Sequence, residues 1–428
     1  IGAGVAALAA AEAVRGLDPS ASITLLSDDP HAYYSRPGLA YYLAGELDER
    51  ILFPFQPHEL KQRGFTLEKA RVTRILPAEK VVELDGARRI PYDRLLIATG
   101  ARAGPLETPG AQLDGVHKLD SLEDARRLVG RARGARGAVV VGGGITALEL
   151  AEGLAARHVR VHYLLRGERY WPNVLDEVES GIIERRLAAQ GIILHHRAGL
   201  DEIEGRGGKV TAVRLSGGER LPCDLVAYAI GVAPHVDLAR SAGIACERGI
   251  LVDEYLRTNQ PDVYAAGDAA QVYDPASGKH LLDSLWSAAR EQGRFAGQNM
   301  AGQASAYGKS VAFNVTRLAG LTTTIIGALG SGRDSDLVSI ARGDSETWRE
   351  LPDALIAQSG FDENRLRLVL DQRHIIGALL MGDQGLSAAL QTLVRSQADI
   401  SPIRNQLLAP GAPIAVILAD FWVEYRRN

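Results

Sequence analysis

The chain carries the same short glycine-rich motif twice. Gly-Ala-Gly-Val-Ala-Ala at positions 2–7 recurs as Gly-Gly-Gly-Ile-Thr-Ala at positions 142–147. Each copy runs into a pattern of apolar residues with helical spacing, at 7–14 and at 147–154. A repeat of this kind indicates two copies of one supersecondary unit within a single chain.

Apolar β-type runs complete each copy. One run follows each helical pattern, at 23–26 and at 159–165, which gives the order of a parallel βαβ unit. At 94–100 and at 227–234, a further buried-type strand runs into a tight turn at a glycine, Gly100 and Gly231. We therefore expect an α/β fold with two doubly wound, Rossmann-like domains.

The character of the sequence changes after Ser310. Short strand patterns at 366–370 and 375–381 precede a helical pattern at 386–394. This arrangement predicts a third, C-terminal α+β domain.

The glycine motif suits a dinucleotide. A pyrophosphate lies against backbone N–H groups at a helix N-terminus, which carries about half a positive charge, and side chains there would block it. In each copy the first glycine would make the turn, the second would admit the phosphate, and the alanine would allow close helix packing. One match among 46 glycines can be a chance turn, but two in the same context disfavour that reading. The residues are Gly2, Gly4 and Ala7, and Gly142, Gly144 and Ala147.

An acidic residue after the second strand of such a unit commonly binds the adenosine ribose. Asp28 and Asp29 are the candidates in the first unit, with a solvated turn as the alternative. In the second unit Leu165 is followed by Arg166, and the nearest acid is Glu168. Arg166 can accommodate a 2′-phosphate, so both NADH and NADPH stay open as cofactors, and we favour NADH.

Composition excludes several classes of partner. The formal net charge is -4, and Lys and Arg are dispersed, so we expect no nucleic-acid partner. No apolar run approaches the roughly 20 residues of a membrane-spanning helix, and the run at 414–419 is far too short. We expect no membrane association. A targeting segment stays open, because the sequence begins inside a motif.

The cysteine and histidine content argues against a redox cysteine pair, an iron–sulfur site and a metal site. Cys223 and Cys246 are the only cysteines, which excludes a C-x-x-C pair and a four-cysteine iron–sulfur site within this sequence. Both are expected to be ordinary buried thiols in a reducing, cytoplasmic setting. His195 and His196 lack the spacing of metal ligands, so no metal is expected.

With the Ala-Thr-Gly turn at 98–100 and the Gly-Asp element at 267–268 in the same order, the chain resembles the FAD-dependent pyridine nucleotide-disulfide oxidoreductase superfamily. The resemblance implies an FAD domain at 1–112 and 236–308, an inserted NAD(P)-binding domain at 113–235, and a C-terminal interface domain at 309–428. It implies cofactor contacts at Ala98, Thr99, Gly100, Gly231, Gly267 and Asp268, with Asp268 on the FAD ribityl chain.

Two segments narrow the resemblance to one branch. Residues 28–31 and 34–37 look like the flavin loop of ferredoxin reductases, rubredoxin reductases and the flavin part of assimilatory nitrite reductase, which implies that Arg36 touches FAD. The segment around Trp286 resembles the one that places an aromatic ring by the flavin and nicotinamide, although a tryptophan there can also be core. Residues 377–383 resemble the nitrite-reductase-type C-terminal domain.

Three departures matter for function. No cysteine precedes Cys223, and Pro37 stands near the place of the single redox cysteine of related NADH oxidases. Tyr41 takes the place of a lysine that ferredoxin-reductase-like members hold by the flavin, while its partner carboxylate matches Glu149. Glu149 is thus a candidate for nicotinamide contact, with a surface glutamate as the alternative.

A reduced flavin without a neighbouring thiol must exchange electrons with an external partner. We expect transfer between NAD(P)H and a one-electron protein of iron–sulfur or rubredoxin type, either as a free reductase or as the flavin subunit of a larger redox complex. The alternative is a flavoprotein whose bound nucleotides regulate association. Dimer formation through the C-terminal domain also stays open.

Overall fold

The computed structural model describes residues 1–31, 33–55, 57–275, 277–327, 329 and 364–427. The chain forms two compact units. Unit 1 comprises Ile1–Leu106, Lys118–Arg127 and Ile230–Lys309, and unit 2 comprises Glu107–His117, Leu128–Ala229 and Ser310–Asn428. Residues 330–363 of the predicted C-terminal domain lie outside the described residues, and the three-domain boundaries stay a prediction.

The chain start lies between two parallel strand pairs of unit 1. The Gly2 N–H donates to the Leu26 carbonyl (2.7 Å), and the Ala98 N–H donates to the Ile1 carbonyl (2.8 Å). Residues 1 and 2 thus occupy the position of a central strand, which places the first glycine turn at the strand edge. The parallel pairs are Ile23–Ser27 with Phe65–Lys69, and Leu95–Ile97 with Val263–Ala265.

The first glycine turn leads into the alanine-rich helix Val5–Leu17, which packs on the helix Trp286–Met300. Small residues make this contact close. A Cβ added at Gly293 would lie 2.2 Å from the Ala6 carbonyl oxygen, and one at Gly297 would lie 2.3 Å from that of Ala10. The glycines of the second helix therefore fix the depth of the first helix and the position of its N-terminus.

Short strands and helices complete unit 1. Three further small sheets are mainly antiparallel. The first contains Val72–Leu76, Val81–Leu84 and Arg89–Pro91, and the second contains Ala101–Ala103 and Val232–Pro234. In the third, Ala270–Asp274 pairs antiparallel with Lys279–Leu282 and parallel with Ile250–Val252. The helices are Leu39–Ala44, Pro57–Gln62 and Asp237–Ser241, with 3₁₀ turns at Glu49–Leu52, Pro77–Glu79, Asp85–Ala87 and Gly267–Ala269. The helix Leu122–Ala132 begins in the residues of unit 1 and ends in those of unit 2.

Unit 2 contains a five-stranded sheet whose central strand, Gly137–Val141, is fully buried. This strand pairs in parallel with a neighbour on each side, as its uninterrupted apolar sequence favours. In spatial order the strands are Ile193–His195, Arg160–Leu164, Gly137–Val141, Leu225–Tyr228 and Val116–Lys118. The helices Ile145–Ala156 and Glu177–Ala189 and the antiparallel strands Leu200–Arg206, Lys209–Leu215 and Arg220–Pro222 belong to the same unit.

The C-terminal residues of unit 2 form an antiparallel sheet with helices. The described strands run in the order Phe313–Leu318, Leu321–Gly327, Ile375–Met381 and Arg365–Leu370, and the helices are Ser387–Arg395, Ser401–Leu407 and Ile414–Tyr425. The strands predicted at 366–370 and 375–381 and the helix predicted at 386–394 are present. Across the described ranges, every helix is too short or too polar to cross a bilayer.

Two arginines join this sheet to the start of the helix Glu177–Ala189. Arg367 Nε lies 2.8 Å from Glu179 Oε1, and Arg365 Nη2 lies 2.6 Å from Asp176 Oδ2. Asp176 and Glu179 also form a capping box at the helix N-terminus, and the Glu179 side chain is fully buried. One pair of carboxylates therefore caps the helix and anchors the sheet.

Candidate functional site

A cavity of about 550 Å³ opens in unit 1 beside the first glycine turn, within the size range of ligand sites. The helix Val5–Leu17 begins at this cavity. Of the residues predicted to contact a cofactor in unit 1, the lining includes Gly2, Gly4, Asp28, Asp29, Arg36, Ala98, Thr99, Gly100, Gly267 and Asp268.

The two glycines of the first turn have different roles. Gly2 has φ +107°, and a Cβ there would lie 2.2 Å from the Ala98 carbonyl oxygen, so only glycine fits. Gly4 is the N-cap of the helix, and a Cβ there would meet nothing within 4 Å. Gly4 therefore keeps the helix N-terminus open to the cavity, as an anionic ligand requires. Ala7 is buried, which agrees with its predicted packing role.

The two aspartates that follow the strand Ile23–Ser27 differ in surroundings. Asp29 accepts from the His31 N–H (2.9 Å) and from the Tyr34 hydroxyl (3.1 Å), so it shapes the loop. Asp28 is more exposed and forms a surface ion pair with Arg71 at 3.4 Å. Asp28 is thus the more accessible carboxylate for a ribose, and Asp29 the more structural one.

Tyr34 connects this loop to the start of the helix Leu122–Ala132. Its hydroxyl accepts from the Leu122 N–H at 3.3 Å, and burial raises the pKa of Tyr34 to about 12. Arg36, half exposed, lines the cavity with one guanidinium nitrogen 4.0 Å from Asp120. Arg36 thus contributes positive charge to the cavity where FAD contact is expected.

Sequence reasoning missed an ion network beside the cavity. His31 Nε2 lies 2.8 Å from Glu123 Oε1, and Arg126 bonds both Glu123 (2.6 Å) and Glu49 (2.6 Å). His31 and Glu123 also line the cavity. Hydrogen bonds from His31 and Arg126 lower the pKa of Glu123. His31 and Glu49 are distant in sequence from Glu123 and Arg126, and the network matches no local motif, so only the fold could bring its members together.

The predicted turn at 98–100 and the element at 267–268 meet in the same cavity. Thr99 Oγ1 donates to the His235 carbonyl (3.0 Å), and Gly100 has φ +67°. Gly267 has φ +75°, and its N–H donates to Gln292 Oε1 at 2.8 Å. Gln292, another residue that the sequence did not reveal, thus holds the backbone next to Asp268.

The second glycine turn in unit 2 repeats the first in geometry. Gly142 has φ +144°, and a Cβ there would lie 2.2 Å from the Ala229 carbonyl oxygen and 2.8 Å from the Ala147 Cβ. Ala147 is fully buried. Gly144 is the N-cap of the helix Ile145–Ala156, with nothing within 4 Å of an added Cβ. Both turns therefore present an unobstructed helix N-terminus.

No acid directly follows the next strand in unit 2. Leu165 is buried, and Arg166 after it is exposed. Glu168 lies 2.6 Å from Arg197 in a surface ion pair. The local charge available to an adenosine ribose or its 2′-phosphate is therefore that of Arg166.

Glu149 projects from the helix that follows the second turn and is half buried. Burial raises the pKa of Glu149 to about 8, Glu152 adds to this rise, and Arg317 opposes it. A carboxyl with such a pKa holds or loses its proton near neutral pH, which is common at functional sites. This favours the functional reading of Glu149 over an ordinary surface glutamate.

Trp286 is the first residue of the helix Trp286–Met300 and is half buried. Tyr33 lies near it, and the Arg290 guanidinium lies 5.8 Å from its ring centre. The cavity lining among the described residues includes Ala289 of the same helix but not Trp286. Gly231, with φ +109°, accepts from the Gly104 N–H and also lies outside that lining. Contact of either residue with a cofactor stays a prediction.

The two cysteines are unreactive in character. Both are free, and burial raises the pKa of Cys223 to about 12 and raises that of Cys246. His196 pairs with Glu184 at 3.2 Å. Within the described ranges no cluster of three or more His, Cys, Asp or Glu side chains is arranged to hold a metal ion.

Two glycine turns lie at two helix N-termini, and the first lies beside a large cavity that Asp28 also lines. This arrangement is typical of a protein that binds two dinucleotides. A family model described as pyridine nucleotide-disulphide oxidoreductase matches residues 1–293, and the chain belongs to this family. It is an FAD-dependent oxidoreductase that uses NAD(P)H. The superfamily resemblance drawn from the glycine motifs is confirmed.

Similar proteins and solved structures support the assignment to this family. The ferredoxin–NAD(+) reductase component of a biphenyl dioxygenase system from Paraburkholderia xenovorans is 36% identical over 276 residues, 63% of this chain and 66% of that protein. The NADH-dependent phenylglyoxylate dehydrogenase subunit epsilon of Aromatoleum evansii is 28% identical over 98% of this chain and 97% of the subunit. A ferredoxin reductase structure from Rhodopseudomonas palustris superposes with TM-score 0.82 at 25% identity, over 98% of each chain. The predicted fold class is confirmed.

Proposed function

We propose that the chain transfers electrons between NAD(P)H and an external one-electron protein of iron–sulfur or rubredoxin type, without a redox-active disulfide. The observation that carries the proposal is the cysteine content: the first cysteine is Cys223, and both thiols have raised pKa values. A thiolate is the reactive form of cysteine, so neither thiol is suited to relay electrons. Among relatives, one is named a ferredoxin–NAD(+) reductase component and one a rubredoxin–NAD(+) reductase.

The proposed roles of this chain's residues are binding and alignment. FAD supplies hydride and single-electron chemistry when bound. The two helix N-termini at Gly4 and Gly144 would hold the pyrophosphates, and Asp28 would hold the ribose of FAD. Glu149 would contact the nicotinamide and carry or release a proton, and Trp286 would limit access of water to the reacting rings. We propose NADH as the preferred cofactor.

We further propose that the chain works as the nicotinamide-coupling flavin subunit of a larger redox complex. The near full-length similarity to a dehydrogenase subunit supports this arrangement. The unpaired cysteines fit a cytoplasmic setting. Native purification should yield the chain together with an iron–sulfur protein, and isolation as a single component under gentle conditions would favour the free reductase.

Acceptor assays test the main proposal. Purified chain loaded with FAD should reduce ferricyanide and a small iron–sulfur protein with NADH, and the double variant Cys223→Ser/Cys246→Ser should keep this activity. Loss of activity in the variant with FAD still bound would contradict the thiol-free route. An FAD-bound chain that reduces no acceptor would instead support nucleotide control of association.

We also propose dimer formation through the C-terminal domain. The helix Ile414–Tyr425 exposes Val416 (57%) and Val423 (50%), apolar surface that association can bury. Light scattering of the wild type and of the Val416→Lys/Val423→Lys variant tests this: a dimer that becomes a monomer supports it, and an unchanged mass rejects it.

A further inference from the structure

A second, small cavity lies in unit 1. It measures about 10 Å³, the room of about one water molecule. Three polar side chains in its lining are almost completely buried: Asp283 (8% exposed), Gln292 (1%) and Tyr307 (4%). Lys309 also lines it. Buried polar groups need partners, so this cavity requires an explanation.

Two polar groups in the lining of the small cavity lack a completed hydrogen bond within the part of the chain that the structure describes. Gln292 Nε2 and the Tyr307 hydroxyl are buried without a completed hydrogen bond among the described residues, although the two groups lie beside each other. Asp283 Oδ1 accepts from the Leu285 N–H at 3.2 Å. Side chains of Gln292, Tyr307 and Lys309 that carry donors therefore share with the Asp283 carboxyl the lining of a cavity of single-water size. These are enough polar partners to hold one water.

Gln292 connects this cavity to the large one. Its oxygen accepts the Gly267 N–H, and Gly267 and Asp268 line the large cavity. If the amide turned over, its NH₂ group would face the Gly267 N–H, and that buried donor would lose its acceptor. An interaction that keeps the Gln292 amide nitrogen directed toward the small cavity therefore also fixes the Gly267 backbone, which lines the large cavity.

We propose that Asp283 is a positioning residue for the FAD site, acting through one bridging water and the Gln292 amide on the Gly267 backbone. The ionised carboxylate accepts hydrogen bonds and keeps the Gln292 NH₂ group pointed at the small cavity. A protonated carboxyl offers a competing donor and weakens that orientation. FAD affinity then depends on the proton of Asp283.

The charged surroundings set the direction of this dependence. Burial raises the pKa of Asp283, nearby Lys309 opposes the rise, and Glu291 adds to it. Tyr273 and Asp274 are the other titratable groups in the lining. FAD affinity should be constant at high pH and should fall as pH drops through the raised pKa. By linkage, FAD binding near that pH should release a proton.

The test measures FAD binding to the apoprotein by fluorescence quenching between pH 5 and pH 8. Loss of one hydrogen bond corresponds to about three- to tenfold weaker binding at the low-pH end. Asp283→Asn should remove most of this pH dependence. Asp274→Asn is the matched control, because Asp274 lines the same cavity but already accepts from Ser277, and it should keep the wild-type profile.

The outcomes separate this proposal from the assignment of the large cavity to FAD, on which it rests. No FAD binding at any pH would remove that assignment. FAD binding with the same pH profile in wild type and Asp283→Asn would overturn the coupling alone. If Asp283→Asn does not fold, calorimetry of the wild type in two buffers of different ionisation enthalpy decides, since absence of proton release at low pH rejects the proposal.

Discussion

The carboxyl of Glu149 makes the folded state sensitive to pH. Its pKa is raised to about 8, mainly by burial, whereas the unfolded chain has a value near 4.5. Between these values the native state binds more protons than the unfolded state, so stability falls as pH rises through this window. The family resemblance identified Glu149 as a candidate, as the match to a carboxylate that relatives pair with a lysine by the flavin. Its pKa depends on burial and on Arg317, which is distant in sequence.

We predict that Glu149→Gln flattens this loss of stability. Between pH 5 and pH 8.5 the wild type should lose free energy of unfolding on the order of 2 kcal/mol more than the variant. Denaturant titrations at both pH values measure the difference. Glu152→Gln, on the same helix, should leave most of the pH dependence in place. Equal slopes for wild type and Glu149→Gln would show that Glu149 does not titrate in this range.

Arg166 bears on the choice of nicotinamide cofactor. Leu165 beside it is buried and Glu168 is paired with Arg197, so the side chain of Arg166 dominates the local charge. Arg166→Ala should lower kcat/KM for NADPH about tenfold and change that for NADH less than threefold, because only NADPH carries a 2′-phosphate. A kcat/KM for NADPH that is unchanged in Arg166→Ala would rule out this role. Arg169→Ala serves as a control for loss of a nearby positive charge.

At the scale of elements, the two glycine turns are the most strongly specified features. We predict that Gly142→Ala lowers the free energy of unfolding by about 2–3 kcal/mol, because its Cβ would collide with the Ala229 carbonyl at a positive φ. Gly143→Ala should change stability little, because a Cβ there meets nothing within 4 Å. Thermal unfolding of both variants without nucleotide provides the comparison, and similar melting temperatures would contradict it.

The local elements were largely predictable, and their contacts were not. Periodicity predicted the strand Ile375–Met381 with its observed bounds, and it predicted the start of the helix Val5–Leu17 two residues late. The strand predicted in 227–234 ends in a turn as expected, since Gly231 adopts positive φ after Leu225–Tyr228. The strand Val232–Pro234 that follows, paired with Ala101–Ala103, is not in the predicted pattern. Periodicity reports burial along one element and carries no record of bends imposed by a neighbour.

The residues of the candidate site also fall into two groups, those that the local sequence identifies and those that it does not. Glycine turns and the acids after a strand are local features, so Gly2, Gly4 and Asp28 could be placed in the cavity from sequence alone. Glu123 and Gln292 come from other segments and have no distinctive neighbours in sequence. Their roles arise from hydrogen bonds across long separations, which a single sequence does not encode in any local pattern.

At the scale of the whole molecule, stability should depend on a buried ion network in unit 2. Arg367 is the nearer cation to Glu179, whose side chain is fully buried. Arg367→Met should lower the free energy of unfolding by about 3 kcal/mol, because it leaves a buried carboxylate with a weaker partner. Arg373→Met should cost less than about 1 kcal/mol, since its pair with Asp399 is at the surface. Equal effects in denaturant titrations would show that the network adds nothing.

Ligand binding should raise the stability of the whole chain. FAD at about 100 times its dissociation constant should stabilise the native state by about 2.7 kcal/mol, because it binds the folded cavity and not the unfolded chain. Melting curves with and without FAD measure this. Gly2→Ala should abolish the increase, since a Cβ there collides with the Ala98 carbonyl at the cavity edge. An unchanged FAD response in Gly2→Ala would place the flavin elsewhere.

The double use of Asp176 and Glu179 constrains how this protein can be recombined with its relatives. The same two side chains begin a helix of the nucleotide-binding part and receive Arg365 and Arg367 from the C-terminal sheet. A chimera with a C-terminal segment from a relative that lacks matching arginines would leave the buried Glu179 carboxylate without its cationic partners. Productive crossover points therefore lie before Asp176 or after Arg367, so that both members of each ion pair come from the same parent.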